Sequence, residues 1–154
     1  MIRINHILIP TDLSEHSRLA VPYAVEIAKS YDATLHMVHI LEPLWGGSHA
    51  LYAEFPGPAG DNLESARASS TKALGEMAAE IEEADIITNV LVGPPHVLIV
   101  RYARDNEIDL IVLATHGRTG LSHVLIGSVA EKVVQMAPCP VLTIKNPEHE
   151  FVMP

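Results

Sequence analysis

The sequence predicts an α/β protein in which helices cover both faces of a five-stranded parallel β-sheet. Short apolar runs rich in β-branched residues alternate with amphipathic stretches of helical spacing, in the order βαβαβαβαβ. One run, at 109–114 (DLIVLA), is apolar on both faces, which is typical of a central strand in a covered parallel sheet. A length of 154 residues supports one well-filled core. Because crossovers between parallel strands are right-handed, we expect helices on both faces.

The first strand and the first helix are predicted from the opening of the chain. Residues 4–9 (INHILI) form the predicted strand, and we expect Pro10 to end it. Ser14 is the expected N-cap of the following helix, with Ser17 as the alternative. Pro22 lies inside the amphipathic stretch, so we expect either a kink or a late helix start there.

The later elements follow the same alternation. They are a second strand at 33–41, a helix at 63–83, a third strand at 86–92, a helix at 95–106, the fourth strand at 109–114, a helix at 128–137 and a last strand at 140–145. The segment 43–61 is rich in Gly and Pro and carries Trp45, Tyr52 and Phe55. These aromatic residues either cover a bound ligand or pack locally or at a dimer contact.

Composition excludes several classes of partner. The formal net charge of -9 argues against sequence-independent binding of nucleic acid, which depends on basic residues. The apolar runs are far shorter than the roughly 20 residues that cross a bilayer, and the first residues lead directly into a strand. The single cysteine, Cys139, forms no internal disulfide and reads as a small buried residue. We therefore expect a cytoplasmic protein with neither a membrane nor a nucleic-acid partner.

Ligands of such folds bind outside the carboxyl ends of the strands, where the strand order reverses. After the first strand the chain reads Pro10-Thr11-Asp12, without the G-x-G-x-x-G of dinucleotide-binding domains, and no Walker A sequence occurs. Asp12 places a carboxylate at this edge. It either accepts hydrogen bonds from ribose hydroxyls or serves only as an N-cap or turn residue.

A second candidate lies after the fourth strand, where Gly127-Ser128 opens a helix. Glycine lets the backbone approach an anion closely and adopts positive φ without strain. The N–H groups of the helix start and the helix dipole favour phosphate, and Ser128 adds a hydroxyl donor. The alternative is a glycine turn followed by a serine N-cap.

The nine histidines do not predict a protein-ligated metal site. They are dispersed, without an H-x3-H pair on a predicted helix and without companion cysteines. His36 and His39 fall on opposite faces of the second strand. If a metal takes part, we expect Mg²⁺ or Mn²⁺ held mainly by nucleotide phosphates.

Two end segments closely resemble the universal stress protein family. The family pattern G-x2-G-x9-G-[ST] falls on Ala114, Gly117, Gly127 and Ser128, within a segment that continues to the last strand. The opening INHILIPTDLSEHS and the segment HILEP at 39–43 match the family's first two strands. The resemblance covers nearly all of residues 3–145, although the middle matches only in pattern.

The resemblance implies a Rossmann-like sheet of order 3-2-1-4-5, similar to the adenine-nucleotide alpha hydrolase fold. It places one domain at 1–146, followed by a tail at 147–154. It also implies a homodimer, which we expect to form through the last strand at the sheet edge.

The resemblance further implies an adenine-nucleotide site. The glycines and the serine hold the phosphates, the aspartate meets the ribose, and a residue ending the second strand meets adenine through its backbone. Carried over by position, the expected contacts are Pro10, Thr11, Asp12, Ile40, Ala114, His116, Gly117, Gly127, Ser128 and Val129. ATP is the expected ligand, with ADP or AMP as alternatives. Ala114 replaces the first glycine of the pattern, and its methyl group is expected to weaken binding.

Three functions follow from this site. The first is a regulatory stress-response protein that binds an adenine nucleotide as a homodimer. The second is a ligand-free dimeric interaction module, for which Ala114 is the main argument. The third is a slow ATPase, because no positioned general base is evident. Related enzymes that cleave ATP between its α- and β-phosphates carry Ser-Gly-Gly-x-Asp-Ser after the first strand. This chain has PTDLSE there, so we do not expect it to belong to that class of enzyme.

Overall fold

The structure is a computed structural model that describes residues 2–42, 61–82, 84–115 and 126–145. Within these ranges the chain alternates between strands and helices as the sequence predicts. In chain order they are β1 (His6–Thr11), α1 (Glu15–Arg18), α2 (Val21–Tyr31), β2 (Thr34–Leu41), α3 (Asp61–Ala79), β3 (Ile86–Val92), α4 (Pro95–Asp105), β4 (Leu110–Ala114), α5 (Ser128–Met136) and β5 (Val141–Ile144).

All strand pairs are parallel, and the sheet order is β3-β2-β1-β4-β5. The predicted order 3-2-1-4-5 is therefore confirmed. Alternate residues of β1 enter two separate cores: Ile7 and Ile9 face one side, Leu8 faces the other, and none has solvent exposure. The first core contains apolar residues of α2 and α3, and the second contains those of α4 and α5. Helices thus cover both faces of the sheet.

The end of β1 differs from the prediction. The strand continues through Pro10 to Thr11, which pairs in register with His39 of β2. Proline lacks a backbone N–H but accepts strand dihedrals where no ladder donor is needed. On the β4 side the pairing reaches only Leu8 opposite Ile111, so no donor is required of Pro10 there.

The first helical stretch is divided in two. Ser14 has extended backbone dihedrals and its side chain accepts a hydrogen bond from Ser17 N at 3.2 Å, which confirms Ser14 as the N-cap of α1. A second helix, α2, then begins at Val21 with Pro22 in its first turn. Proline is tolerated in the first turn of a helix. Of the two possibilities at Pro22, a kink or a late helix start, the structure therefore has the late start.

Several predictions lie outside the described residues. They concern the aromatic residues Trp45, Tyr52 and Phe55 and the tail at 147–154. In the part of the chain that the structure describes, no helix is long and apolar enough to cross a membrane.

Candidate functional site at the carboxyl edge of the sheet

The candidate site lies where β1 and β4 diverge. From β1 the chain continues to β2 on one side, and from β4 it continues to β5 on the other, so the strand order reverses between β1 and β4. Pairing between β1 and β4 is limited to Ile7 with Leu110 and Leu8 with Ile111. By contrast, the β1–β2 pairing extends to Thr11, and the β4–β5 pairing extends to Ala114. The two central strands therefore open a crevice at their carboxyl ends, which is where ligands of open α/β sheets bind.

The turn after β1 is built on hydrogen bonds of hydroxyl and carboxylate groups. Asp12 Oδ1 accepts hydrogen bonds from Ser14 N at 3.0 Å and from the Ser14 hydroxyl. This arrangement confirms a turn role for Asp12, whereas the N-cap role belongs to Ser14.

Thr11 anchors the same turn from inside. Thr11 is 5% exposed; its hydroxyl forms a hydrogen bond with Ser17 Oγ at 2.8 Å and accepts another from Leu13 N at 3.0 Å. Leu13 has a φ of 65°, in the left-handed region that side chains other than glycine rarely adopt. Such strain is retained where the surroundings over-determine the backbone, which is typical of ligand sites.

The start of α5 forms the opposite wall. Gly127 N donates to Thr115 O at 2.6 Å, and Thr115 N donates to Ile144 O at 2.9 Å, which fixes the helix start against β4 and β5. Gly127 is the N-cap and Ser128 the first helical residue, so the serine N-cap considered above is wrong. Gly127 lacks a side chain to cap the helix, and the Ser128 hydroxyl is exposed. The positive end of the helix dipole therefore faces this edge, and within the described ranges no side-chain cap is recorded for its N–H groups.

The remaining expected contacts are placed as follows. Ala114 is the last residue of β4 and is half-buried, opposite Ile144 of β5. Ile40 is the penultimate residue of β2, and its side chain packs against the core on the α4 and α5 face. Val129 packs against the same core. For Ile40, a partly buried side chain is compatible with a role through its backbone. The expected contacts His116 and Gly117 lie outside the described residues.

His39 is a residue that the sequence reasoning considered only as a metal ligand. It is 3% exposed, and its Nδ1 lies 2.8 Å from the Thr11 carbonyl oxygen at the same edge of the sheet. Among the described residues, no group of three His, Cys, Asp or Glu side chains could hold a metal ion. A divalent cation at this edge would therefore depend on ligand phosphates for most of its coordination.

A second polar cluster lies towards the amino ends of the strands. His36 Nδ1 is 3.0 Å from the Tyr102 hydroxyl, and His36 Nε2 is 3.2 Å from His6 Nδ1. Burial, and secondly the nearby His6, lowers the pKa of His36 from its ordinary value. Burial raises the pKa of Tyr102. These groups couple β1, β2 and α4 but lie away from the crevice.

Two surface cavities among the described residues also lie away from the crevice. One of about 190 Å³ is lined by α3 and β3, including Arg67, Thr71 and Asn89. Another of about 540 Å³ lies at the amino end of the chain, beside Arg3 and Tyr31. The candidate site is defined instead by strand order and helix placement. Residues 43–60 and 116–125, which follow β2 and β4 in the sequence, lie outside the described residues.

The fold and this edge define an α/β protein of the doubly wound class, with a candidate anion site where the strand order reverses. A family model described as the universal stress protein family matches residues 3–145. The universal stress protein MJ0531 of Methanocaldococcus jannaschii is 38% identical over 150 residues, with 94% of this chain and 84% of that protein covered. The chain belongs to the universal stress protein family.

Two further comparisons agree with this assignment. The universal stress protein A homolog 1 of Coxiella burnetii is 36% identical, with 90% of this chain and 94% of that protein covered. The solved structure of universal stress protein UspA from Lactobacillus plantarum has a TM-score of 0.75 and 30% identity, and covers 94% of this chain and 99% of its own. The fold is therefore that of known universal stress proteins.

Proposed function

We propose that this chain is a regulatory universal stress protein that binds an adenine nucleotide, with ATP as the first candidate, in the crevice between β1 and β4. One observation carries the proposal. The short bond from Gly127 N to Thr115 O holds the start of α5, whose N-cap residue has no side chain, at the carboxyl edge of β4, beside the crevice. Backbone N–H groups and the helix dipole bind phosphate there even in a chain of net charge -9.

Other proteins of this fold have been solved with adenine nucleotides. They include a universal stress protein in complex with cAMP, one from Archaeoglobus fulgidus with dAMP, and one from Arabidopsis thaliana with AMP. Their identities to this chain are 24%, 23% and 19%, and at that level they share its fold. For this chain, the proposal of an adenine nucleotide as ligand is based on its own Asp12, Gly127 and Ser128.

Each part of the nucleotide has a proposed partner. The phosphates lie at the α5 start, with Ser128 adding a hydroxyl donor to the backbone N–H groups. The ribose lies against Asp12, and adenine against the backbone of Ile40. Ala114 adds one methyl group beside the ribose or α-phosphate. We expect this group to weaken binding, since alanine is the smallest side chain that could replace the glycine.

A ligand-free dimeric interaction module is the second candidate, and one observation favours it. The turn after β1 is already hydrogen-bonded internally, because Asp12 Oδ1 accepts from Ser14 and the Thr11 hydroxyl pairs with Ser17. Glu131 also adds a negative charge in the first turn of α5. A site satisfied in this way is stable without a nucleotide, so the two candidates differ in binding and not in fold.

Thermal unfolding with and without nucleotide separates these candidates. At a ligand concentration a hundred times Kd, binding stabilises the folded state by about 2.7 kcal/mol. For a chain of this size we expect Tm to rise by about 5–10 °C, at roughly 2–4 °C per kcal/mol. ATP, ADP and AMP are each tested at millimolar concentration, with and without Mg²⁺. No shift with any of them would leave the ligand-free module as the function.

Replacement of Ser128 by alanine tests where the phosphates bind. We expect ATP affinity to fall by the value of a hydrogen bond to a charged group, about 1.5–3 kcal/mol. Ser69→Ala is the matched control, because Ser69 is an exposed serine of α3, which packs on the other side of the sheet from α5. Isothermal titration calorimetry measures both variants. Equal affinities for the two variants would place the phosphates away from α5.

A further inference from the structure

His39 is a buried histidine whose contact lies at the nucleotide edge of the sheet. It belongs to β2 and pairs in register with Thr11, the last residue of β1. His39 is 3% exposed, and Nδ1 lies 2.8 Å from the Thr11 carbonyl oxygen. A carbonyl oxygen only accepts hydrogen bonds, so Nδ1 carries the proton and donates it.

Thr11 is consequently held at its carbonyl and at its hydroxyl. Its carbonyl accepts from His39 of β2, and its hydroxyl is bonded to Ser17 of α1 and to Leu13 N. The β4 side gives no comparable support, because β1 pairs with β4 only as far as Leu8. Beyond Leu8 the position of the end of β1 therefore depends on its pairing with β2 and on these contacts.

The residue placed by this anchor is Asp12. It follows Thr11 directly and precedes Leu13, whose backbone lies in the left-handed region that side chains other than glycine rarely adopt. A turn of this kind keeps one geometry only while its flanking contacts hold it. Ser14 holds one oxygen of the Asp12 carboxylate within the turn. If the Thr11 carbonyl loses its donor, the turn that carries Asp12 loses a contact that fixes its position relative to the sheet.

We propose that His39 is a positioning residue of the nucleotide site. By donating Nδ1–H to the Thr11 carbonyl it fixes the end of β1, so that Asp12 presents its carboxylate to the ribose of the nucleotide. The inference rests on the proposed function and adds a residue that has no direct contact with the ligand. A histidine that only filled the core would affect stability, without a selective effect on ribose recognition.

Two variants separate these roles. His39→Leu removes the donor and keeps a large apolar side chain. His39→Asn keeps a donor, because the asparagine Nδ2 occupies nearly the same position as the histidine Nδ1, although it leaves more empty space in the core. Affinity for ATP is measured by isothermal titration calorimetry, and Tm is measured on the same variants without ligand.

We expect His39→Leu to weaken ATP binding about tenfold to a hundredfold, the value of a hydrogen bond to a charged group. We expect His39→Asn to bind ATP with an affinity within about threefold of the wild type. The affinity should depend on whether residue 39 keeps its hydrogen-bond donor, and not on the Tm of the variant. Equal affinities for wild type and His39→Leu, or equal losses in both variants, would overturn the inference.

Ribose analogues give the second readout. In the wild type, 2′-deoxy-ATP or 3′-deoxy-ATP is expected to bind more weakly than ATP, according to which hydroxyl Asp12 meets. In His39→Leu the ratio of the Kd of the deoxy analogue to the Kd of ATP is expected to fall close to one, because Asp12 is no longer held in place against the ribose. A ratio unchanged from the wild type would make His39 a core residue only.

A measurement without nucleotide keeps this inference separate from the proposed function. Long-range proton–nitrogen NMR of the wild type is expected to show His39 protonated at Nδ1. A proton on Nε2 alone would overturn the anchor itself. Wild-type protein that binds no nucleotide would overturn the proposed function together with this inference, whereas normal ATP binding by His39→Leu would overturn this inference alone.

Discussion

Gly127 shows why the residue type at one position matters. Its φ of -66° and ψ of 152° suit any residue, so the positive φ considered from the sequence is not the reason for a glycine here. The reason is a close approach: an added Cβ would lie 3.0 Å from the Thr115 carbonyl oxygen. The same absence of a side chain leaves the start of α5 open to an anion.

We predict that Gly127→Val abolishes nucleotide binding while the fold survives, because the side chain displaces α5 from β4 and covers its N–H groups. Gly127→Ala is expected to weaken binding without abolishing it, because its Cβ requires the neighbouring Thr115 carbonyl to shift by only a few tenths of an ångström. Calorimetric affinity and circular dichroism measure the two effects.

Gly75 provides the matched control. A Cβ added at this helical glycine meets nothing within 4 Å, so Gly75→Ala is expected to stabilise the protein by about 0.5–1 kcal/mol and to leave binding unchanged. Unchanged ATP affinity in Gly127→Val would show that the phosphates bind elsewhere.

His36 predicts a specific dependence of stability on pH. Burial and His6 lower its pKa in the folded state below the unfolded value of 6.5. The stability that neutral His36 contributes is therefore complete above pH 6.5 and is lost as the pH falls towards the folded pKa. The slope is at most about 1.4 kcal/mol per pH unit for one proton. Urea unfolding from pH 7.5 to about 5 should show a shallower slope for His36→Leu, and equal slopes would refute this assignment.

At the scale of elements, two helices end on left-handed residues other than glycine. Asp32 follows α2 with φ of 56°, and Glu107 follows α4 with φ of 51°. Ile108 N then bonds Ala103 O at 2.9 Å, which closes the end of α4. Glycine is the residue that accepts this conformation without strain.

We predict that Glu107→Gly raises the free energy of unfolding by about 0.5–1 kcal/mol, because the strain relieved exceeds the added entropy of the unfolded chain. Asp105→Gly is the control, since it removes a similar charge from a right-handed helical position and should cost about 1 kcal/mol. Chemical denaturation compares the two variants. Destabilisation of both by similar amounts would show that the strain at Glu107 is negligible.

The sequence predicts the elements better than their junctions. Apolar period and β-branched content identify each strand, and Ser14 and Pro22 mark the two helix starts. The end of β1 is missed, because whether Pro10 needs a ladder donor depends on the register with β4. The left-handed Leu13 carries no sequence signal, since its conformation is imposed by the contacts of Thr11.

At the scale of the molecule, the site depends on which strands become neighbours. Asp12 and Gly127 are far apart in sequence, and only the order 3-2-1-4-5 makes β1 and β4 adjacent. The family resemblance supplies that order, whereas hydrophobic period alone leaves it open. His39 is not recognised in advance, because its contact with Thr11 requires both the strand order and the register.

The same order leaves β5 at one edge of the sheet, beside β4 alone. Ile111 N bonds Pro140 O and Thr115 N bonds Ile144 O, so alternate residues of β5 face β4. Val141 and Thr143 therefore direct their backbone groups towards the open edge. An apolar edge of this kind tends to pair with another chain.

We predict that the protein is a homodimer through this edge, with two copies pairing antiparallel about a two-fold axis. The Val141→Pro, Thr143→Pro double variant removes the outward N–H donors and preserves the bonds to β4, so it should be a folded monomer. The Val141→Ala, Thr143→Ala variant keeps both donors and should remain largely dimeric. Light scattering at tens of micromolar measures the mass of each. A monomeric wild type, or a folded and dimeric proline variant, would show that this edge is not the interface.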